Sequence, residues 1–197
     1  CTPNMDRISA EGTLGLIDTI PSGFAAGSDV ANLAVLGCDP HVCYTGRGPL
    51  EAASMGVTLA PAETAFRCNL VTLGDDRNPI MEDFTAGHIS SEEARQLIVD
   101  LDRAVGSDQF RFHAGVGYRH LLVWMADGAD LVATPPHDII GKLYEPHLPS
   151  GQDADQIIRL IRRSREFLAS HPINRQRLSE GKKPATTIWP WGQGRAP

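Results

Sequence analysis

The chain has 197 residues, of which 42% are hydrophobic and 21% charged, and its formal net charge is −6 at pH 7. A chain of this length suits one globular domain or two small ones. The acidic balance argues against non-specific nucleic-acid binding, which needs a basic face, and no apolar run reaches the roughly 18 residues of a membrane span. Four cysteines without a C-x-x-C pair are typical of free thiols in a reducing cytoplasm rather than of a zinc site.

The first quarter of the chain predicts two short helices joined by a strand and a loop. Thr2 and Pro3 predict the start of the first helix, which ends at Gly12. Residues 13–17 have strand character, and a loop rich in Gly and Pro then leads to Ser28 at the start of the second helix. A serine there lies among free backbone N–H groups at the positive end of a helix dipole, which favours an anion. The local pattern leaves two roles open for Ser28, a helix cap or a nucleophile.

Arg47 lies between two glycines, and this pattern predicts a backbone that can approach a ligand. Its guanidinium could form a forked pair of hydrogen bonds with a phosphate or a carboxylate. The alternative is a structural loop arginine that binds backbone carbonyls. The residue alone does not decide between the two.

The next predicted strand spans residues 65–72, and its side chains alternate between the two faces of a sheet. Arg67 and Asn69 share one face, whereas the other face is apolar. The polar face is either a ligand site or the exposed side of an ordinary sheet. A turn follows at residues 74–79, and residues 80–84 are predicted to return as the hairpin partner of this strand.

Two long amphipathic helices are predicted in the second half of the chain. Ser90 and Glu93 have the spacing of a capping box, and the apolar residues that follow at helical spacing predict a helix that ends at Gly106. Residues 153–170 predict the second helix. Its arginines lie mainly on the polar side, which is typical of a solvated surface.

Two further strands are predicted at residues 110–116 and 121–125. Arg119 and His120 precede the second strand, where they are either the polar end of a buried strand or part of a site. His137 follows two prolines and is either a turn residue or a ligand. Strands on both sides of a helix predict an α+β layer in which an antiparallel or mixed sheet is packed by the two long helices.

Several strings of residues occur together in one order along the whole chain. They are TPNMD at 2–6, GSDVA at 27–31, LGCDP at 36–40, YTGRGPLEA at 44–52, AFRCN at 65–69, GYRH at 117–120, PH at 136–137 and WGQG at 191–194. With these strings the sequence resembles the archaeal-type 2,3-bisphosphoglycerate-independent phosphoglycerate mutases of the alkaline phosphatase superfamily. The YTGRGP and FRCN strings are the specific ones, whereas GSD alone would not be.

The resemblance implies a mechanism and a set of site residues. The serine that matches Ser28 would be a metal-activated nucleophile and a metal ligand, which takes the phosphoryl group from 3-phosphoglycerate and returns it to the 2-hydroxyl. Two divalent cations, Mn²⁺ or Mg²⁺, would assist it. Residues that match the family's substrate-binding positions are Arg67, Asn69, Arg119, His120, Arg47 and His137. Of these, Arg67 and Arg119 would hold the phosphate and the carboxylate.

The resemblance also implies that the chain is part of a longer enzyme, because the family's other metal ligands lie upstream and downstream of the matched strings. Thr134 and Pro135 stand where the family usually has aspartates. We therefore expect an α/β fold in three parts, and a chain that is nearly inactive alone. The parts are a partial alkaline-phosphatase-like core segment over residues 1–53, an inserted substrate-side α+β domain over 54–184, and a return strand over 185–197.

Two other functions remain open at the level of the sequence. One is a phosphatase or another phosphotransferase of the same superfamily. The other is a non-catalytic anion-binding or interaction module. For the mutase we expect a small anionic partner, phosphoglycerate, in the cytoplasm, with no nucleic acid and no membrane, and the sequence leaves the oligomeric state open.

Overall fold

The computed structural model describes residues 2–74, 77, 79–126 and 129–196. The chain divides into two compact units, Cys1–Tyr44 and Thr45–Pro197. The predicted turn at residues 74–79 falls largely outside the described residues. The three-part division at residues 53 and 184 stays a prediction.

The first unit consists of short helices joined by extended chain. The helices are α1 (Pro3–Glu11), α2 (Ser28–Val35) and α3 (Pro40–Cys43). The helix α1 follows Thr2 and ends at Gly12, as predicted. The strand predicted at residues 13–17 is wrong, because this stretch has no strand pairing with any described residue.

The first unit contains little apolar core of its own. Among residues 2–44, Val30 and Pro40 are the buried positions. The extended stretch exposes the side chains of Leu14, Leu16 and Ile17. Since apolar burial is the main favourable contribution to folding, contacts among the described residues give this unit little stability.

An antiparallel sheet organises the second unit. Its strands are β1 (Thr64–Gly74), β2 (Ile80–Asp83), β3 (Phe110–His113), β4 (Arg119–Trp124) and β5 (Thr187–Arg195). The long strand β1 lies between β4 and β5 and pairs with β2 at its C-terminal end, while β3 pairs with β4. The predicted strand over residues 65–72 and its hairpin partner are both confirmed.

Two long helices pack on one face of this sheet, as the sequence predicts. The helices of the second unit are α4 (Arg47–Ser54), α5 (Ser91–Val105), α6 (Ala154–Ala169) and α7 (Pro172–Ser179). The Ser90 hydroxyl accepts from the Glu93 amide, and the Glu93 carboxylate accepts from the Ser90 amide, so the capping box of α5 is present. Apolar residues of β1, α5 and α6, such as Phe66, Leu97 and Ile161, form the main core. The fold is mixed α/β.

The helix α4 packs on the other face of the sheet. The alternative interpretation of Arg47 as a structural loop arginine is wrong, because Arg47 is the first residue of α4. A Cβ atom on Gly48 would collide with the Ala65 carbonyl of β1, so the glycine permits a close approach of helix to strand. No helix within the described ranges is long and apolar enough to cross a membrane.

Candidate functional site

Three of the predicted site residues meet on the face of the sheet that carries α4. Arg67 and Asn69 alternate with the apolar residues of β1 and therefore share this face. Arg119 is the register partner of Asn69 on the neighbouring strand β4. The pairing of β1 with β4 thus brings together polar residues that lie about 50 positions apart in the chain.

Arg67 is a buried cation held by several partners. Its side chain is 8% exposed, and its Nη1 donates to Glu51 Oε1 at 2.8 Å. Its Nε donates to Asn69 Oδ1 at 3.3 Å. Burial lowers the pKa of the Arg67 guanidinium, and the Glu51 carboxylate acts in the opposite direction. Its Nη2 donates to none of the described residues, which leaves one edge of the guanidinium available to a ligand.

Asn69 connects several residues of the site through hydrogen bonds. Its Oδ1 accepts hydrogen bonds from Arg67 Nε and, at 3.1 Å, from Trp191 Nε1. Its Nδ2 donates to the Phe84 carbonyl at 3.1 Å. Because its amide is 1% exposed and bonded at both ends, Asn69 orients Arg67 and Trp191.

Arg47 and Trp191 complete the cluster. Arg47 Nε lies 3.3 Å from Glu51 Oε1, so Glu51 pairs with both Arg47 and Arg67. The Trp191 ring centre lies 5.8 Å from the Arg47 guanidinium carbon and 5.3 Å from that of Arg67. Both distances suit a cation–π interaction, so the Trp191 ring contributes to stabilising two guanidinium groups of like charge.

His137 joins this cluster through aromatic contacts. It lies on a single 3₁₀ turn, Pro136–Ile139. Its ring centre is 5.4 Å from that of Trp191 and 6.0 Å from that of Phe84, both edge-on. The side chain is 48% exposed, so one side of the imidazole remains open to solvent.

Arg119 lines a cleft beside the cluster. The side chain is exposed, and its guanidinium carbon lies 5.2 Å from the centre of the Tyr118 ring. The cleft has a volume of about 490 Å³ and is lined in part by Glu51, Arg95, Gly115 and Arg119. The cleft and the cluster beside it thus combine one carboxylate, that of Glu51, with three arginines, which are Arg95, Arg119 and the neighbouring Arg67. The local charge therefore favours an anion although the whole chain is acidic.

His120 lies on the opposite face of the sheet from Arg67, Asn69 and Arg119. It is 1% exposed and is the register partner of Cys68. Its Nδ1 accepts from the Gly115 amide at 3.1 Å, and its Nε2 is buried without a described hydrogen-bond partner. Burial lowers the pKa of His120 to about 3, so the ring is neutral at pH 7. Its observed contact is with the turn that leads into Arg119.

Ser28 belongs to the first unit and is the first residue of α2. The residue before it, Gly27, is the N-cap, and no side chain caps this helix. The exposed Ser28 hydroxyl bonds to none of the described residues, so a simple capping role is not observed. The neighbouring Asp29 accepts a 2.6 Å hydrogen bond from the Tyr44 hydroxyl, which ties the start of α2 to the end of the unit. The uncapped amides of α2 remain available to an anion.

The described residues do not fit a divalent-cation site by themselves. No group of three or more His, Cys, Asp or Glu side chains in the described part of the chain is arranged to hold a metal ion. Mg²⁺ and Mn²⁺ bind through several oxygen ligands, and the Ser28 hydroxyl is one at most.

Two residues of the cluster, Glu51 and Trp191, were not among those predicted from the sequence. Glu51 was detectable, because it follows Arg47 by four positions in a helix, a spacing that favours an ion pair. Trp191 lies in one of the matched strings, but its contact with Asn69 spans 122 positions, and no local pattern predicts such a distance.

Comparisons with known proteins point to one family. The family model described as 2,3-bisphosphoglycerate-independent phosphoglycerate mutase matches residues 9–174. A protein of that name from Methanosarcina barkeri is 54% identical over 197 residues, which is all of this chain and 49% of the relative. A probable enzyme of the same name from Geobacter sulfurreducens is 51% identical over the same shares of the two chains.

Solved structures agree with these matches. A cofactor-independent phosphoglycerate mutase from Thermoplasma acidophilum superposes with a TM-score of 0.66 at 26% identity, over 87% of this chain and 47% of that chain. A protein from Pyrococcus horikoshii superposes with a TM-score of 0.65 at 28% identity, over 99% of this chain and 44% of that chain. The chain spans about half the length of the curated relatives that it matches.

Proposed function

Because the chain belongs to the family of 2,3-bisphosphoglycerate-independent phosphoglycerate mutases, we propose that it carries the nucleophile and substrate-binding residues of an enzyme that interconverts 3-phosphoglycerate and 2-phosphoglycerate. The observation that carries this proposal is the cluster around Trp191. There a buried arginine, Arg67, keeps one edge unbonded on a face rich in positive charge. Such a face is chemically suited to a small ligand with two anionic groups.

Phosphoglycerate carries a phosphate and a carboxylate, and the proposal assigns arginines to both. Arg67 and Arg119 lie on neighbouring strands and bind the two groups, while Arg47 and His137 border the ligand. Asn69 keeps Arg67 in position. His120 acts as a positioning residue, because its bond to Gly115 holds the turn before Arg119. Each hydrogen bond to a charged group contributes about 1.5–3 kcal/mol.

Ser28 is the proposed phosphoryl acceptor. Its Oγ attacks the phosphorus of 3-phosphoglycerate, the bond from phosphorus to the 3-oxygen breaks, and the proton lost by the serine ends on that oxygen. Glycerate then reorients, and its 2-hydroxyl takes the phosphoryl group while Ser28 regains a proton. Support comes from the exposure of Ser28 and from the uncapped amides at the start of α2, which favour negative charge.

Two divalent cations, Mn²⁺ or Mg²⁺, would supply charge neutralisation and activation of the nucleophile in the complete enzyme. Since the described residues do not fit such a site, Ser28 Oγ is the single ligand that the proposal assigns to this chain.

The test uses this chain extended to the relatives' length with flanking sequence from the Methanosarcina barkeri protein. With Mn²⁺ and without bisphosphoglycerate, we expect this polypeptide to convert 3-phosphoglycerate to 2-phosphoglycerate. Ser28→Ala should abolish the conversion, whereas Ser22→Ala, which changes another exposed serine of the first unit, should leave it intact. Normal turnover by the Ser28→Ala protein would overturn the proposal.

The same assay separates the mutase from a phosphatase. Release of inorganic phosphate from assorted monoesters, faster than formation of 2-phosphoglycerate, would identify a hydrolase. No contact in the described chain favours hydrolysis or a purely non-catalytic module over phosphoryl transfer.

A further inference from the structure

Glu51 places a carboxylate in the middle of a cluster that the proposed function assigns to an anionic ligand. It lies on α4, and its side chain is 22% exposed. A negative charge at this place opposes the binding of an anion, because like charges in a partly buried site repel one another. None of the roles proposed above uses this carboxylate. We therefore expect it to hold neighbouring residues in place or to bind a part of the ligand that is not anionic.

One oxygen of Glu51 accepts hydrogen bonds from two arginines. Oε1 lies 2.8 Å from Arg67 Nη1 and 3.3 Å from Arg47 Nε. The Arg67 guanidinium is planar, and its Nε donates to Asn69 Oδ1 at 3.3 Å. Since Nε and Nη1 are both bonded, the direction of the remaining nitrogen, Nη2, is fixed as well. Glu51 thus helps to orient the edge of Arg67 that bonds to none of the described residues.

The other oxygen of Glu51 has a different environment. Oε2 accepts no hydrogen bond from any described residue, so its lone pairs are available to a ligand. Glu51 and Ser54 lie three positions apart on one face of α4, and both line the cleft that Arg119 also lines. Met55, directly after the helix, lines the same cleft. The carboxylate is therefore part of the cleft wall, where a ligand can reach it.

An anion bound by Arg67 Nη2 would lie next to Glu51. Nη1 and Nη2 are attached to the same carbon, and Glu51 is already bonded to Nη1. An anion without a hydrogen-bond donor would bring two negative charges together, which is unfavourable at this short range. A ligand with a hydroxyl next to its anionic group avoids this repulsion, because the hydroxyl donates to Oε2. The arginine and the carboxylate together thus suit an anion that carries a neighbouring hydroxyl.

On the basis of the function proposed above, we propose that Glu51 is a specificity-determining residue, whose Oε2 binds the hydroxyl group of phosphoglycerate. In 3-phosphoglycerate the 2-hydroxyl is on the carbon next to the carboxylate. In 2-phosphoglycerate the 3-hydroxyl is on the carbon next to the one that carries the phosphate. Both compounds therefore offer a donor beside an anionic group. A phosphorylated acid without a hydroxyl satisfies the arginines and leaves Oε2 without a donor.

This role predicts a strong preference for the hydroxylated ligand. A site that forms a hydrogen bond with a substrate hydroxyl rejects the analogue that lacks it, because the polar group of the protein is then left unpaired. The acceptor here is charged, and the loss of such a bond weakens binding by about tenfold to a hundredfold.

The test is calorimetric titration of the 197-residue chain with two ligands that differ in this hydroxyl. They are 3-phosphoglycerate and its 2-deoxy analogue, 3-phosphonooxypropanoate. We expect the unaltered chain to bind the first about tenfold to a hundredfold more tightly than the second. Glu51→Gln should lower this ratio by about tenfold. The reason is that glutamine keeps one oxygen for the two arginines but replaces Oε2 by an NH₂ group, which cannot accept.

Two further variants separate recognition of the hydroxyl from a general effect on binding. Arg119→Ala should weaken both ligands by the same factor and leave their ratio unchanged, because both carry the phosphate and the carboxylate. Glu180→Gln removes another ion-paired carboxylate, which lies 2.6 Å from Lys182 Nζ after the end of α7, and should change neither affinity. Urea unfolding checks that each variant is folded. If Glu51→Gln does not fold, Glu51→Asp replaces it, since the shorter side chain withdraws the carboxylate and should lower the same ratio.

The outcomes distinguish this role from the proposed function. Equal affinity of the unaltered chain for the two ligands would overturn the role of Glu51 and leave the proposed mutase function standing. A ratio that is the same in the unaltered chain and in the Glu51 variant would also overturn it. Binding of neither ligand by the unaltered chain would contradict the proposed substrate site, and the role of Glu51 would fail with it.

Discussion

His120 should make the stability of this chain strongly dependent on pH below neutrality. In the folded chain its ring is buried and neutral, with a pKa lowered to about 3 from the ordinary 6.5. The unfolded chain regains the ordinary pKa, so below pH 6.5 it binds a proton that the folded chain excludes. The contribution of His120 to the free energy of unfolding should therefore be constant above about pH 6.5 and should fall as the pH drops towards 3.

The size of the effect follows from the difference between the two pKa values. One pKa unit corresponds to about 1.36 kcal/mol, so a difference of about 3.5 units gives an upper limit of about 5 kcal/mol. At pH 5, which is about 1.5 units below the unfolded value, the expected loss is about 2 kcal/mol. This is a large part of the 5–15 kcal/mol that typically separates the folded from the unfolded state.

His120→Asn provides the matched perturbation. Asn can keep an acceptor near the Gly115 amide, which donates to His120 Nδ1 at 3.1 Å, and it removes both the titration and the unpaired Nε2. We would measure urea unfolding by tryptophan fluorescence at pH 7.5 and pH 5.0. The unaltered chain should lose about 2 kcal/mol more than the variant between these two pH values.

His88→Asn is the control for that experiment. His88 is exposed and has a φ angle of +49°, which asparagine tolerates, so the substitution should not alter the pH dependence. Burial and nearby Arg111 also lower the pKa of His113, but this contribution cancels between the unaltered chain and the His120 variant. An identical pH dependence with and without His120 would refute the reasoning.

Three other predictions follow from the packing of the chain. Gly48→Ala should lower the free energy of unfolding of the second unit in urea by about 2 kcal/mol or more, because the new Cβ would collide with the Ala65 carbonyl. Gly15→Ala is the control, because a Cβ there has no neighbour within 4 Å, and it should lower the free energy of unfolding much less. Ser90→Ala should lower the unfolding free energy by about 1 kcal/mol through loss of the capping box, and an unchanged midpoint would argue against that cap. Amide hydrogen exchange should be fast at residues 13–19 and slow in β1, because the first stretch has no described backbone pairing and β1 pairs on both sides; equal protection of the two would contradict this expectation.

The parts of the fold that sequence predicts well are those with local causes. The capping box of Ser90 and Glu93 and the apolar spacing of α5 are local, and both are observed. The stretch at residues 13–17 has strand propensity but lacks a partner strand among the described residues. Since a strand depends on pairing, propensity alone predicted it wrongly.

The part of the candidate site that was predictable from the sequence is the part that depends on the alternation of side chains along a strand. Alternation places Arg67 and Asn69 on one face, and the structure has them bonded to each other. The same alternation separates Arg119 from His120, which the family resemblance had grouped together. The contact of Trp191 with Asn69 depends on how β5 returns to β1, and this pairing is a property of the whole fold rather than of a local pattern.

Calorimetric titration of 3-phosphoglycerate into this chain is the most direct test of whether the sheet face that carries Arg67 and Arg119 binds this ligand. Arg119→Ala is the informative variant, because Arg119 is exposed and its loss should not disturb the fold, and Arg162→Ala removes another exposed arginine, on α6, as the matched control. We expect the unaltered chain and the Arg162 variant to bind equally, and the Arg119 variant to bind about tenfold to a hundredfold more weakly, as the loss of a hydrogen bond to a charged group requires. Equal affinity of all three proteins, or no binding by the unaltered chain, would contradict the assignment.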